Sequence, residues 1–239
     1  MRLAVGLAVA LALLAGPALA QEMSIDFGGG ESLSLRSVQL LLLITVLSIA
    51  PGLAVMVTCF PFIVTVLSIL RQAIGLQQAP PNMLIISLSL FLTWFVMDPV
   101  FTEAWVKGIE PMTNGQVGVG PGLEAAIAPF RAFMALRVDP ETLQTLQDLR
   151  STAPVLPADA PLSLLVPSFL LSEVQRAFEI GFMIFLPFLI IDLVVAAILM
   201  SMGMMMVPPA VVSLPFKLVF FVVADGWALI SGALVRSYF

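Results

Sequence analysis

A chain of 239 residues that is 60% hydrophobic, 10% charged and +1.10 in mean hydropathy is too apolar for an ordinary soluble domain, where about a quarter of residues carry charge. It reads as a membrane protein. With no histidine and one cysteine, Cys59, a Ser-His-Asp triad, a Cys-His pair and a His- or Cys-rich zinc site are excluded, and the net charge of −5 argues against nucleic acid, which needs a basic surface to replace phosphate counterions. No Gly-x-x-x-x-Gly-Lys-Ser/Thr segment is present to cradle a nucleotide. Cys59 has no partner for an intrachain disulfide and reads as a small apolar filler.

Met1-Arg2 forms a positive start, Leu3 to Ala15 an unbroken apolar run, and Gly16-Pro17 interrupt it before the small-x-small triplet Ala18-Leu19-Ala20. This is the pattern of a signal peptide over residues 1–20, cleaved between Ala20 and Gln21. Thirteen apolar residues reach only about 20 Å as a helix, short of a hydrocarbon core of about 30 Å. Residues 21–36 are then a polar exported segment.

Residues 37–101 read as a first apolar helical hairpin. Ser37 to Leu70 contains no charge, and its 34 residues would make a helix of about 51 Å, too long for one straight span and too short for two. Pro51-Gly52 and Pro61 predict a kink or break. After the turn Gln77-Gln78-Ala79-Pro80-Pro81-Asn82 comes Met83 to Met97, only about 22 Å long, which Asp98-Pro99 is expected to end.

The next segment, taken as residues 102–165, is a small helical insert. Twelve of the chain's 25 charges lie between positions 98 and 159. Asn114 to Gly122 predicts a loop, Leu123 to Arg137 and Pro140 to Arg150 predict helices, and Pro154, Pro157, Pro161 and Pro167 mark an extended return. An exported N-terminus and an even number of crossings place this insert and the C-terminus on the periplasmic side.

Residues 166–239 form a second apolar hairpin turning at Gly203, Pro208 and Pro209. An ionisable group in an apolar segment calls for a named partner. Asp192 and Lys217 supply each other, because the midpoint of their positions, 204.5, falls in the turn and sets them at one level as an ion pair within or between subunits. Asp225 is a further charge expected to be buried. It lies about 12 Å from that level, too far for the two-carboxylate dyad of an aspartyl protease, and the Gly-x-Gly-Asp surroundings of intramembrane aspartyl proteases are absent. Five of thirteen methionines fall between positions 200 and 206. Methionine is flexible and soft, so Met204, Met205 and Met206 suit a deformable apolar constriction, although lipid-facing or core filler is the commoner role of such residues taken by themselves.

Several ordered segments resemble one known family. They are Val166-Pro167-Ser168-Phe169-Leu170-Leu171-Ser172-Glu173, Ala177-Phe178-Glu179-Ile180-Gly181-Phe182, Phe185 to Ala196, Met202 to Pro209, Leu214-Pro215-Phe216-Lys217 and Val223-Ala224-Asp225-Gly226-Trp227. Gln78-Ala79-Pro80-Pro81-Asn82 and Met97-Asp98-Pro99-Val100 extend the likeness into the first block. Together they resemble the FliP family of flagellar and virulence type III export-gate proteins. The resemblance implies an all-α, integral membrane-type fold of bent hairpins assembled into a helical pore complex, largely above the membrane plane, in the inner membrane and flagellar basal body. It also implies a non-enzymatic subunit without a cofactor, a pentamer of the chain, companion subunits FliQ and FliR, unfolded flagellar proteins as cargo, and a pore gasket at Met204, Met205 and Met206. A non-conducting scaffold and a small-solute transporter with a midplane site at Asp192 or Asp225 remain the alternatives.

Overall fold

The computed structural model describes residues 33–76, 80–150, 155–204 and 206–239. The cleavage site at Ala20 and Gln21, residues 77–79 of the first turn, Pro154 and Met205 lie outside the described residues. Within them every regular element is a helix.

The chain divides into two units, residues 1–46 and 47–239. Helix α1 (Leu33–Met56) belongs to both. In the first unit its apolar side chains from Val38 to Ile44 are exposed.

In the second unit, α1 passes through Pro51-Gly52 and the break comes later, at residues 57–59. Thr58 makes the break. Its hydroxyl donates to the Val55 carbonyl at 2.8 Å and accepts from the Phe60 amide at 3.3 Å, satisfying groups that a helix end leaves open. Pro61 therefore opens helix α2 (Phe60–Ile74) instead of kinking it, since a first-turn proline lacks an amide that would have had no acceptor there. Gly75, at φ 87°, ends α2 with its amide on the Gln72 carbonyl.

Asp98-Pro99 does not end the next helix. Helix α3 (Asn82–Ala104) runs through it, continues in a π-helical turn (Trp105–Ile109) and closes with a last α turn (Glu110–Thr113). The 32 helical residues extend about 48 Å. Proline removes one hydrogen bond, which in apolar surroundings costs less than opening a whole helix end. The π turn brings Gly108 against helix α4 (Val119–Arg137), where an added Cβ would lie 2.4 Å from the Ala126 nitrogen.

Helix α4 starts inside the expected loop, at Val119. Helix α5 (Pro140–Leu149) is capped by Asp139, whose carboxylate accepts from the Thr142 amide at 2.9 Å. That bond holds the Asp139 carboxyl below its usual range. Helix α6 (Leu162–Ser201) is 40 residues long, about 60 Å or twice a hydrocarbon core. It contains Pro167, expected in an extended return. The proline leaves the Ser163 carbonyl without its helix donor, and Arg150 replaces it, with Nη2 3.3 Å from that oxygen and Nη1 3.2 Å from Ser163 Oγ. Helices α7 (Pro209–Val223) and α8 (Gly226–Arg236) follow, bent 61° to each other.

The core is built on α2. Phe62, Ile63, Val66, Leu67, Leu70, Ala73 and Ile74 are all buried, the spacing of a broad apolar helix face, and they pack chiefly along α6. A second cluster of Met134, Val138, Leu143, Leu164, Leu165 and Phe169 fastens α4 and α5 to the start of α6. Among the described residues, three helical segments are long and apolar enough to cross a membrane (residues 37–56, 82–113 and 162–201), or four if the bent α7–α8 pair counts as one span.

Because no side chain fits between Gly108 and the α4 backbone, Gly108→Ala is expected to cost about 1–3 kcal/mol through overpacking. Gly120→Ala, where a Cβ meets nothing within 4 Å, serves as the control. Thermal unfolding of the full chain in detergent checks the difference, and equal melting temperatures would remove the claimed contact.

Candidate functional site

The methionine-rich turn is built as a helix terminus. Gly203 adopts φ 75°, its amide reaches the Met200 carbonyl at 3.1 Å and the Met204 amide reaches the Leu199 carbonyl at 3.0 Å. This Schellman arrangement satisfies the last carbonyls of α6 and needs a left-handed residue, which glycine supplies without a Cβ penalty. Pro208 then caps α7 and Pro209 starts it. The turn leaves Met200, Met202, Met204 and Met206 exposed.

Ten to fifteen residues behind the turn, the two arms are tied. Lys217 Nζ on α7 lies 2.6 Å from Asp192 Oδ2 on α6, and Ser213 Oγ donates to Asp192 Oδ1 at 2.5 Å. Lys217 also donates to the Ala73 carbonyl at 3.1 Å, in the last turn of α2. Its side chain is 6% exposed, against 31% for Asp192. A buried ammonium needs compensation on several sides, and here it has a carboxylate on one and the negative end of a helix on another. Ala73 gives no sign in the sequence, because the contact is to its backbone carbonyl, whereas Ser213, one helical turn before Lys217, carries a weak one.

Asp225 is not buried in this chain. It is exposed, at φ 49° and ψ 48°, in the break between α7 and α8. The bend places it outside both helices, and the adjacent Gly226 is the buried residue, because a Cβ there would strike the Phe221 ring at 2.2 Å.

A second polar cluster centres on Glu173, which has no exposed surface. Its Oε1 accepts from Arg137 Nε at 3.0 Å and Arg176 Nη1 at 3.1 Å, and its Oε2 accepts from the Tyr238 hydroxyl. Arg137 Nη2 is also 3.0 Å from Oε1 but lies off the hydrogen-bonding direction. Arg137 lies 4.1 Å over the Tyr238 ring and donates from Nη1 to the Ser237 carbonyl at 2.8 Å. The Arg137 carbonyl, last in α4, lies 3.5 Å from Arg176 Nη1. Burial, and then the Glu173 charge, raise the Tyr238 hydroxyl far above the usual phenol range, which keeps it a donor. Burial also pushes the Cys59 thiol up to about 12, so it stays an inert thiol. Glu173 stands out in the sequence as an acid in an apolar block, with Arg176 one helical turn away. Arg137 and Tyr238, 36 and 65 positions distant, carry no such signal.

Glu173→Gln removes the buried charge that faces Arg137 and Arg176, whose side chains are 15% and 34% exposed, and is expected to destabilise the chain by about 3 kcal/mol, the low end for breaking a buried pair because both guanidinium groups keep some solvent. Tyr238→Phe, which loses one hydrogen bond to a charged group, is expected to cost about 1.5–3 kcal/mol. Melting temperatures of the purified full-length variants check both, and a milder effect for Glu173→Gln than for Tyr238→Phe would contradict the scheme. At the hairpin, exchanging the charges by Asp192→Lys with Lys217→Asp is expected to recover only part of the stability lost in either single change, because a carboxylate at position 217 would face the Ala73 carbonyl. Full recovery would mean that the Ala73 contact contributes nothing.

Comparison with known proteins places this architecture. The model of the FliP family matches residues 43–234. The "Flagellar biosynthetic protein FliP" of Caulobacter vibrioides is 50% identical over 233 residues, 97% of this chain and 88% of the relative. That of Agrobacterium fabrum is 44% identical, with 99% of each chain covered, and that of Bacillus subtilis is 45% identical over 84% of this chain and 92% of its own. On a match over residues 43–234, which takes in the α2–α6 core and the methionine turn alike, the chain belongs to the FliP family.

Proposed function

We propose that the chain is a non-enzymatic, pore-forming core subunit of the flagellar type III protein export gate, passing unfolded proteins across the inner membrane. In this reading several copies, five in the arrangement that the family resemblance implies, assemble with FliQ and FliR. Each copy contributes Met204, Met205 and Met206 to a gasket at the narrowest point. The observation that carries the reading is the combination of a soft, exposed methionine turn with a hairpin whose arms are tied at Asp192, Ser213 and Lys217. A rigid mount holding a deformable tip is what a seal against chains of varying shape requires. An apolar ring also resists ion flow without imposing a charge preference.

Two further features support it. Apolar side chains are exposed along α1, α3 and α6, more than a soluble monomer tolerates, as expected of surfaces that meet lipid or neighbouring subunits. The 40-residue α6 is about twice as long as a bilayer core, so part of it stands outside the hydrocarbon, as in a complex held largely above the membrane plane. In this arrangement residues 1–20 direct export and residues 21–36 and the insert face the periplasm. The inner membrane at the flagellar basal body is the expected location.

Replacing Met204, Met205 and Met206 together by serine tests the gasket. The expected result is ion leakage through an assembled complex, read as a fall in membrane potential, together with altered flagellar protein export. An assembled complex that stays ion-tight would instead favour a non-conducting scaffold.

A further inference from the structure

The chemistry of the sulfur atoms in the turn points beyond sealing. Two of the chain's methionines, Met97 and Met134, are buried in the two cores at 0% and 1% exposure. Met200, Met202, Met204 and Met206 stand at 61%, 66%, 41% and 98%. Met56, Met83 and Met183 are open as well, at 43%, 75% and 68%, but stand apart from one another on α1, α3 and α6, so among the described residues only the turn gathers exposed thioethers in one place. Thioether oxidation follows access, so an oxidant reaches the turn long before it reaches either core. Leucine would give an apolar turn of similar volume without this sensitivity.

We propose that the turn from Met200 to Met206 is a reversible oxidation site, taking peroxide-class oxidants as its reagent, and that its oxidation opens the seal. This rests on the gasket reading above. A thioether sulfur attacks one oxygen of the peroxide, the O–O bond breaks, and an S–O bond forms. The sulfur loses two electrons and the remaining oxygen leaves as water, or as an alcohol from an organic peroxide. The product sulfoxide is polar and a strong hydrogen-bond acceptor, so it draws water into a ring that excluded ions by being apolar. A dithiol reductase reverses the step, the sulfoxide oxygen leaving as water while the dithiol becomes a disulfide.

The position of the turn confines the effect. Ser213, Asp192 and Lys217 hold the arms with oxygen and nitrogen groups that peroxide does not attack under these conditions, so the hairpin stays tied while its tip changes polarity. The Schellman bonds at Gly203 use only backbone and survive as well.

The experiment uses the full chain in its assembled complex, in sealed membrane vesicles exposed to graded hydrogen peroxide. Peptide masses and vesicle ion leak are followed together, with and without methionine sulfoxide reductase and its dithiol donor. The expected result is a mass gain of one oxygen per sulfur at Met200, Met202, Met204 and Met206 while Met97 and Met134 remain unchanged. Leak should rise with that gain and fall again on reduction. The variant with leucine at these four positions should remain tight at the same dose. Uptake of oxygen at Met97 and Met134 as early as at the turn, or a fully oxidised turn without leak, would overturn the inference. The unoxidised serine variant separates the two readings: if it leaks while peroxide leaves wild-type vesicles tight, the gasket stands and the oxidation switch falls. If the serine variant is itself tight, the gasket reading has failed first.

Discussion

The buried carboxylate of Glu173 is the constraint on which the packing of the long helices depends. An unpaired carboxylate without solvent contact costs several kcal/mol, so α6 can bury that position only when cations and hydrogen-bond donors converge on it. Arg137 comes from the end of α4, Tyr238 from the segment after α8, and Arg176 from the next turn of α6 itself. Two of the three lie far away in sequence. One acid thus ties the insert, the long helix and the last helical segment to one another, and it also places the Arg137 guanidinium against the rings of Tyr238 and Phe62 at the edge of the α2 core.

The same device occurs a second time on α6. Asp192 lies 19 positions after Glu173, about 28 Å along the axis, and again meets a cation that also reaches a carbonyl in the last turn of another helix. Arg176 bridges Glu173 to the end of α4 and Lys217 bridges Asp192 to the end of α2. Each cation faces a carboxylate and the negative pole of a helix at once, which for Lys217 makes near-complete burial tolerable. The pairs also register the helices: apolar ridges slide past one another at little cost, whereas a displaced ion pair leaves an uncompensated charge. That registry holds the methionine turn at a defined height on a fixed hairpin, while its own side chains stay adaptable.

Proline illustrates how context changes the meaning of a residue. Of the prolines expected to interrupt helices, Pro51, Pro99 and Pro167 lie inside them and Pro61 begins one. The difference lies in whether the freed carbonyl finds another donor and whether water is present to stabilise an open helix end. At Pro167 the donor is Arg150, from the preceding helix. At residues 57–59 the chain does break, and the agent is the Thr58 hydroxyl, which serves both helix ends.

What the sequence determined by itself was local or compositional. Hydropathy makes the chain membrane-type and helical, the absence of histidine removes whole classes of chemistry, and Gly203 with Pro208-Pro209 marks a turn whose midpoint sets Asp192 opposite Lys217. Those inferences need only helix geometry and short-range arithmetic. Tertiary structure decided the rest, because it depends on contacts between residues far apart in the chain. The Ala73 carbonyl that Lys217 caps is 144 positions away, and the Ser237 carbonyl that holds Arg137 is 100 positions away. Asp225 is exposed because the helix breaks there; Asp225-Gly226 is a local turn signal, but only the packing shows that it opens a 61° bend inside an apolar block. Backbone carbonyls carry no sequence identity, so the partners that let charges sit inside this apolar chain become visible only once the helices are packed.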